Sequence, residues 1–360
     1  MYDRSVTLKD ISRKTGYSIN TVSHALRGKP DIAPETREKI CAAADEMGYV
    51  VNSMASSLRS GRTGLVAVIV SDISNPLFGI LVKDIETALI RENYCAMILN
   101  TDENEEKEKR ALYQAISKKV DGIILCPAQR SDENIRLLKR SGIPFVLQGR
   151  RMSGVETDYV VWDDVGGAYF ATKYLLSQGK RNILYLTAPL YISSARERYE
   201  GYRRALAEAG AEPGPGDLFV MDDFDNDADM ERVLRRLDRF SAVFAFNDVL
   251  ALKLLETLRR QPRRRDITVV GFDNIQSRLH IPYPLSSVHT PKKAMAETLC
   301  RFLTARIRRE APEGAFQTCV IPTRLCLRTE GGTERYLSAD DPTGLSDSSP
   351  FQAGGQPESV

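Results

Sequence analysis

Residues that build metal centres and disulfides are scarce in this chain. Its 360 residues include only three histidines and six cysteines, and none of these stands in a C-x-x-C or zinc-ligand spacing. Scattered thiols are typical of a reduced, cytosolic protein rather than of a disulfide framework. Neither a Walker-type loop nor a G-x-G-x-x-G loop occurs in the sequence, so no metal and no other cofactor is predicted.

Long apolar runs and an excess of one charge are also missing. No stretch approaches the roughly 18 apolar residues of a membrane-spanning helix, and residues 1–5 lack the apolar core of a signal peptide. We therefore expect a cytoplasmic protein with no membrane partner. The formal net charge of +2 excludes a polybasic nucleic-acid binder. It does not exclude a small positive segment, since residues 1–63 carry ten basic and seven acidic side chains.

The first fifty residues have the pattern of three short helices and no strand. A helix predicted over Thr7–Thr15, with Thr7 as its N-cap, is broken at Gly16, Ser18 can cap a second helix, and Pro34 begins a third. A helix, a glycine-containing turn and a second helix form a DNA-reading helix-turn-helix. A plain three-helix bundle with solvated polar residues explains the helix pattern equally well.

Beyond Gly64, buried apolar runs alternate with amphipathic helices such as Leu77–Arg91, Glu105–Lys119 and Gly166–Gln178. The predicted strands are Leu65–Val70, Ala96–Leu99, Gly122–Leu125, Phe145–Leu147, Ile183–Leu186, Ala242–Phe246 and Ile267–Gly271. This alternation is typical of α/β folds with parallel sheets, and the segment is long enough for two lobes. Residues 331–360 are rich in Gly, Ser, Pro and Asp, so we expect a disordered tail there.

Several short motifs occur in a fixed order along residues 6–329. They are Val6–Ile11, Ser18–Ser23, Thr36–Ile40, Gly48-Tyr49, Asn52–Arg59, Asn75–Phe78, Asp121–Ile124, Arg198–Tyr202, Phe246–Asp248 and Gly271–Asp273. Together they resemble the LacI/GalR family of bacterial transcription regulators. The resemblance implies an N-terminal helix-turn-helix head and hinge helix joined to a two-lobed, periplasmic-binding-protein-like body.

The resemblance also implies boundaries for these parts. The helix-turn-helix domain would cover residues 1–50, and the hinge helix or linker would cover 51–63. The effector-binding and dimerisation body would cover 64–330. Its first lobe would hold residues of about 64–162 and 291–320, and its second lobe those of about 163–290 and 321–330.

In the family, side chains of the second helix read the major groove, and here the matching residues are Ile19, Asn20 and His24. Members usually have Arg where His24 stands. Neutral imidazole offers one donor and one acceptor in place of a bidentate guanidinium, so we expect an altered half-site preference or weaker binding. Contact of His24 with a phosphate or water is an equal alternative. The predicted DNA-binding residues are Thr7, Leu8, Ser18, Ile19, Asn20, Thr21, Ser23, His24, Lys29, Tyr49, Asn52, Ala55, Leu58 and Arg59.

The helix-turn-helix pattern further predicts an exposed face on the second helix made of Ser18, Ile19, Asn20, Ser23 and His24.

The hinge resembles the family segment that inserts a leucine into the minor groove. Leu58 would be that wedge, and ordinary helix packing is its alternative role. The polar neighbours Ser53, Ser56 and Ser57 favour the wedge. Val51 stands where the family generally has proline, so φ is not fixed there. We expect this hinge to fold only upon DNA.

Polar and aromatic residues follow several of the predicted strands, where a two-lobed α/β protein binds its ligand. The predicted effector-binding residues are Asn75, Phe78, Trp162, Ser194, Arg198, Phe224, Asn247 and Asp273. By resemblance, Arg198 would grip the effector, and the aromatic rings would provide flat faces for a sugar. The alternative is that Asn247 and Asp248 only cap a helix and that Asp273 only ends a strand.

The predicted function is that of a transcriptional regulator, and specifically a repressor that binds a palindromic operator on double-stranded DNA as a homodimer. Its small-molecule effector would be a sugar or sugar derivative. Ile192 stands where purine-binding relatives have Arg, which disfavours a purine, and a protein corepressor stays open. The alternative function is a cytosolic sugar-binding protein or a sugar-processing enzyme of the same shape. An enzyme is not predicted, because the cleft residues contain no matched acid and base.

Overall fold

The computed structural model describes residues 6–50, 61–224, 226–261, 267–279, 281, 284–312, 314–329 and 333–337. The chain divides into two units, Met1–Thr63 and Gly64–Val360. None of the helices in these described ranges is both long and apolar enough to cross a membrane.

The first unit contains α1 (Leu8–Thr15), α2 (Ile19–Leu26) and α3 (Pro34–Glu46). Helix α1 begins with a capping box, because the Thr7 hydroxyl accepts from the Asp10 amide while the Asp10 carboxylate accepts from the Thr7 amide. It ends at Gly16, whose φ of 77° is left-handed and favours glycine. The helices enclose a small core built on Ile11, Val22, Ala25, Ile40 and Ala44. The predicted three-helix pattern is confirmed.

The second unit alternates strands and helices. Its strands are β1 (Leu65–Val70), β2 (Cys95–Asn100), β3 (Gly122–Leu125), β4 (Phe145–Gln148), β5 (Tyr159–Trp162), β6 (Ile183–Thr187), β7 (Leu218–Val220), β8 (Ala242–Ala245), β9 (Thr268–Asp273), β10 (Ser286–His289), β11 (Thr318–Ile321), β12 (Arg324–Arg328) and β13 (Glu334–Leu337). Its helices are α4 (Pro76–Arg91), α5 (Glu105–Ser117), α6 (Glu133–Ser141), α7 (Asp164–Ser177), α8 (Ser193–Glu208), α9 (Asp227–Arg236), α10 (Asp248–Arg259) and α11 (Lys292–Ile307), with 3₁₀ turns at Leu237–Arg239 and Ile275–Ser277.

Two sheets define two lobes. The first sheet is parallel throughout, with the strand order β11-β5-β4-β3-β1-β2, and the second has the order β13-β12-β10-β9-β8-β6-β7. Helices α4 and α11 cover one face of the first sheet, and α5 and α6 cover the other. Helices α7 and α8 cover one face of the second sheet, and α9 and α10 cover the other. Parallel strands with both faces covered read as continuous apolar runs, so the predicted α/β class is confirmed.

The chain passes between the lobes after Trp162, after His289 and after Ile321. The carboxyl ends of the strands therefore border the passage points, where side chains from both lobes can meet.

The predicted tail is wrong in one segment. Glu334–Leu337 forms an antiparallel strand beside Arg324–Arg328. Leu337 is buried in the second lobe, Arg328 donates to the Glu334 carboxylate at 2.9 Å, and the Tyr336 ring lies edge-on to His289. These cross-strand contacts order a segment whose flanking composition suggested disorder.

Candidate functional site

A cavity of about 460 Å³ lies between the two lobes. Its wall includes all eight predicted effector-binding residues, namely Asn75, Phe78 and Trp162 from the first lobe and Ser194, Arg198, Phe224, Asn247 and Asp273 from the second. The structure thus brings these residues to one place, and their role toward an effector stays a prediction.

Arg198, on α8, is fixed by protein groups around its guanidinium. Its Nε donates to Asp164 Oδ1 at 2.7 Å, and its Nη1 donates to the carbonyl of Phe246. Its Nη2 lies 3.6 Å from Asp273 Oδ1. The guanidinium carbon stands 3.6 Å from the centre of the Phe272 ring and 4.6 Å from that of Phe246, within cation–π range. The side chain is buried, so its direction is set before any ligand arrives.

The two carboxylates beside Arg198 are shifted by burial. Burial raises the pKa of Asp164 to about 7, although the charge and hydrogen bonds of Arg198 act to lower it. Burial also raises the pKa of Asp273 above its ordinary value, against the same opposing charge. Burial by itself would lower the pKa of Arg198, but the charges of Asp164 and Asp273 raise it. Arg198 therefore stays cationic, while burial favours the protonated form of Asp164.

Asp273 occupies an unusual backbone conformation at the end of β9. Its φ is 101° and that of Asn274 is 49°, so two successive non-glycine residues lie in the left-handed region. The Asp273 carbonyl accepts from the buried Lys292 ammonium and from the Thr290 hydroxyl at 3.1 Å. In the described part of the chain, Asp273 Oδ1 is buried with no hydrogen-bond donor. Backbone strain that is maintained by surrounding hydrogen bonds, at a residue facing a cleft, is typical of a ligand-binding position.

The two asparagines of the cavity wall are also helix N-caps. Asn75 Oδ1 accepts from the Leu77 amide at 3.0 Å, and Asn247 Oδ1 accepts from the Leu250 amide at 2.9 Å. Asn247 therefore caps α10 and also lines the cavity, whereas the capping alternative is wrong for Asp248. Asp248 points elsewhere, since its carboxylate accepts from the Ser287 hydroxyl and the Ile275 amide. For the two asparagines, the amide nitrogens remain as donors toward a ligand.

Several other residues of the cavity wall were not predicted from the sequence. Arg150 donates through both terminal nitrogens to the carboxylate of Glu103, at 2.7 and 2.6 Å. Tyr191 lies under the guanidinium of Arg130, and Gln148 is buried beside Trp162. Glu103, Arg150 and the Arg198 partner Asp164 all stand just after a strand, so the rule that found Asn75 and Asn247 could have found them. Nothing in the sequence indicates that Glu103 pairs with Arg150 or that Asp164 pairs with Arg198.

The predicted DNA-binding residues of the head lie mostly at its surface. Thr7, Ser18, Ile19, Asn20 and Lys29 are exposed, and Leu8, Thr21, His24 and Tyr49 are half-buried. Asn52, Ala55, Leu58 and Arg59, with Val51, lie outside the described residues. Contact of any of these residues with DNA stays a prediction.

The expected exposure of Ser23 is wrong, because only 8% of this residue is exposed. Ser23 follows the core residue Val22, and the Arg27 side chain turns back along α2 to donate from Nε to the Ser23 carbonyl at 2.9 Å. The exposed face of α2 is therefore narrower than the helix pattern predicted.

His24 has a partner that the sequence analysis missed. Its Nδ1 lies 2.6 Å from Asp31 Oδ2, in the loop between α2 and α3. The hydrogen bond from His24 lowers the pKa of Asp31. Since Nδ1 is engaged, Nε2 is the ring nitrogen left for another partner.

Two family models match the chain. Residues 7–52 match the bacterial regulatory proteins of the lacI family, and residues 172–329 match a periplasmic binding protein-like domain. The HTH-type transcriptional regulator DegA of Bacillus subtilis (strain 168) is 33% identical over 330 residues, which cover 89% of this chain and 97% of DegA. The chain belongs to the LacI/GalR family. It is a transcriptional regulator and not an enzyme, as are these relatives.

Further LacI/GalR-type relatives agree over most of their length. The HTH-type transcriptional repressor PurR of Vibrio atlanticus (strain LGP32) is 30% identical over 308 residues, covering 84% of this chain and 92% of PurR. The solved complex of the transcriptional regulator CelR with cellobiose has a TM-score of 0.66 and 30% identity, covering 91% of this chain and all of that chain. This LacI/GalR-family chain therefore has both a lacI-type head and a periplasmic-binding-protein-like body.

Proposed function

We propose that this chain is a repressor that binds a palindromic operator as a homodimer through α2. A small molecule bound in the interlobe cavity would weaken or strengthen its binding to that operator. The proposal is supported by one observation, that the eight effector-binding residues predicted from the sequence line one cavity in a chain that also has a helix-turn-helix head. Ile19, 48% exposed, and Asn20 would meet base edges in the major groove.

A sugar or sugar derivative is the proposed effector. Phe78, Trp162 and Phe224 offer flat apolar faces, and Asn247 and Asp273 offer a donor and an acceptor for hydroxyl groups. The CelR relative, which was solved with cellobiose, supports a sugar.

The proposed dimer interface lies at the free edge of the first sheet. Strand β2 is the edge strand there, and Ile98 on it is 41% exposed. Ile73 is exposed as well. Its backbone amide donates to Asn100 Oδ1 at 2.8 Å, which places Ile73 next to the end of β2. Exposed apolar side chains on an edge strand favour burial against a partner, and a second copy is the partner that a palindromic operator requires.

Ligand binding would act through the contacts that join the lobes. The Arg151 amide of the first lobe donates to Ser193 Oγ at 3.2 Å, and the Ser193 amide donates to Gln129 Oε1 at 2.8 Å. Arg278 of the second lobe donates to both carboxylate oxygens of Asp84 at 2.6 Å. A ligand that favours one arrangement of these contacts would change the spacing of the two hinges in the dimer, and with it the affinity for DNA.

The test separates the two sites by mutation. Genomic DNA captured by the protein and then sequenced identifies the operator, and the fluorescence of Trp162, the one tryptophan, reports ligand binding. Asn20→Ala should weaken operator binding and leave the Trp162 response intact, whereas Phe224→Ala should do the reverse. Phe224 is preferred to Arg198 as the ligand-side variant, because removing Arg198 also removes buried bonds within the second lobe. Equal loss of both activities in either variant would contradict separate sites.

A further inference from the structure

The ionisable side chains of the cavity wall are predominantly acidic. Among the described residues, six carboxylates line the cavity, namely Asp72, Asp102, Glu103, Asp222, Asp223 and Asp273, against two guanidinium groups, Arg150 and Arg198. Lys107, outside the wall, is paired with Asp102. The wall and this lysine together therefore have a formal excess of three negative charges. Low-dielectric walls focus such a field on the ligand.

Both arginines of the wall already donate hydrogen bonds to acceptors within the protein. Glu103 accepts two hydrogen bonds from Arg150, and the Pro127 carbonyl accepts another from the same guanidinium at 2.8 Å. Arg198 is paired with Asp164, which stands behind the wall. A phosphate or carboxylate on a ligand would have to displace Glu103 from Arg150, because that bidentate pair leaves no open fork. At Arg198 it would meet the Asp273 carboxylate, whose Oδ1 lies 3.6 Å from Nη2.

The buried polar atoms that lack partners favour ligand hydroxyl or amino groups. In the described part of the chain, Asp273 Oδ1, Gln148 Oε1 and Trp162 Nε1 are buried without a hydrogen-bond partner, and all three residues line the cavity. The two oxygens can accept from a hydroxyl or an ammonium group, and the indole can donate to a hydroxyl. A ligand that makes these bonds relieves the cost of leaving them unmade.

A metal ion does not fit these acidic groups. Within the described ranges, no three His, Cys, Asp or Glu side chains stand close enough together to hold one. The counter-charge must therefore come from the organic ligand itself, or the ligand must be uncharged.

We propose that the effector of this regulator carries no negative charge, so that the cavity accepts uncharged polyhydroxylated or amine-bearing molecules and excludes phosphorylated and carboxylated ones. The inference rests on the proposed effector function and narrows it, because sugar phosphates and sugar acids are removed from the sugar derivatives that the cavity could take.

The first experiment uses inorganic phosphate as the probe and Trp162 fluorescence as the readout, with the full chain. Wild-type protein should give no saturable change at millimolar phosphate. Glu103→Gln, which removes the negative charge paired with Arg150, should gain a saturable response, roughly tenfold or more tighter than any seen in the wild type. Glu197→Gln is the matched control, since it removes the charge paired at 2.9 Å with Arg151, which lies outside the cavity wall, and it should gain no response. Saturable phosphate binding by the wild type, or no gain in a folded Glu103→Gln, would overturn the proposal.

The second experiment needs no variant. A panel of sugars is compared in sets that share a ring, such as glucose, glucosamine, glucose 6-phosphate and glucuronate, and the same members are tested for their effect on operator binding. Every compound that binds should be neutral or amine-bearing. A phosphorylated or carboxylated member that binds would overturn the charge inference and leave the effector function standing. Failure of all classes to bind would contradict the proposed effector function itself.

Discussion

Replacing Asp164 with asparagine should stabilise this regulator at neutral and alkaline pH. The unfolded chain ionises this carboxyl near pH 4, whereas burial keeps it protonated in the folded protein until about pH 7. Between those values the folded state holds the extra proton, so the free energy of unfolding of the wild type falls as the pH rises. Raising the pKa from 3.8 to about 7 corresponds to about 4 kcal/mol, at about 1.4 kcal/mol for each pKa unit.

The asparagine side chain of Asp164→Asn would keep an oxygen for Arg198 Nε and would remove the charge. Removing one member of a buried ion pair can instead cost about 3–5 kcal/mol when the remaining charge is uncompensated. Here Asp273 still lies 3.6 Å from the guanidinium, and two aromatic rings flank it. The pKa of Asp164 is high although Arg198 donates to it, so burial outweighs the ion pair.

The assay is urea unfolding followed by Trp162 fluorescence at several pH values. The variant should exceed the wild type by up to about 4 kcal/mol at pH 8, and the difference should vanish near pH 4. Glu200→Gln, in an exposed pair on the same helix as Arg198, is the control and should leave the pH dependence unchanged. A variant that is less stable than the wild type at pH 8, or a difference that does not vary with pH, would refute the reasoning.

Three further predictions concern helix packing, DNA reading and assembly. Gly201→Ala should lower the free energy of unfolding by about 1–3 kcal/mol in a thermal melt, because a Cβ there would lie 2.1 Å from the Val165 carbonyl; an unchanged melting temperature would contradict this. Asp31→Asn should change the base preference at the half-site position that we propose His24 to read, when operators are selected from random DNA, and an identical selected motif would count against it. Ile98→Asp should weaken self-association in sedimentation equilibrium, because it puts a charge on the exposed edge strand β2. An unchanged apparent mass would show that this edge is not part of the dimer interface.

The apolar strands of this fold could be predicted because both faces of each parallel sheet are covered. Leu65–Val70 and Ile183–Leu186 read as continuous apolar runs, and the structure has strands there. Ser286–His289 and Glu334–Leu337 were missed, because they are short, polar strands held by neighbouring strands rather than by their own hydrophobic pattern. The short apolar strands Tyr159–Trp162, Leu218–Val220 and Thr318–Ile321 were missed as well.

The position of the cleft followed from strand ends, but its electrostatics did not. A polar residue just after a strand is visible in the sequence, as at Asn75 or Asn247. The pairing of Arg150 with Glu103, 47 residues apart, depends on two loops meeting in space. The hydrogen bond from the Arg27 side chain to the carbonyl of the buried Ser23 likewise has no counterpart in helix periodicity.

Several local sequence rules fail around the cleft, and this supports its function independently of the family. Among the described residues, Asp273 and Asn274 have positive φ, buried polar atoms of Gln148 and Trp162 have no hydrogen-bond partner, and burial raises the pKa of Asp164. Each feature costs stability by itself, and an apolar core of the same size would avoid all of them. Their concentration around one cavity is expected if a ligand completes the missing bonds, because its binding energy then offsets the cost in the bound state. Ligand binding should therefore raise the free energy of unfolding of the body. The same binding energy could favour one arrangement of the two lobes over the other.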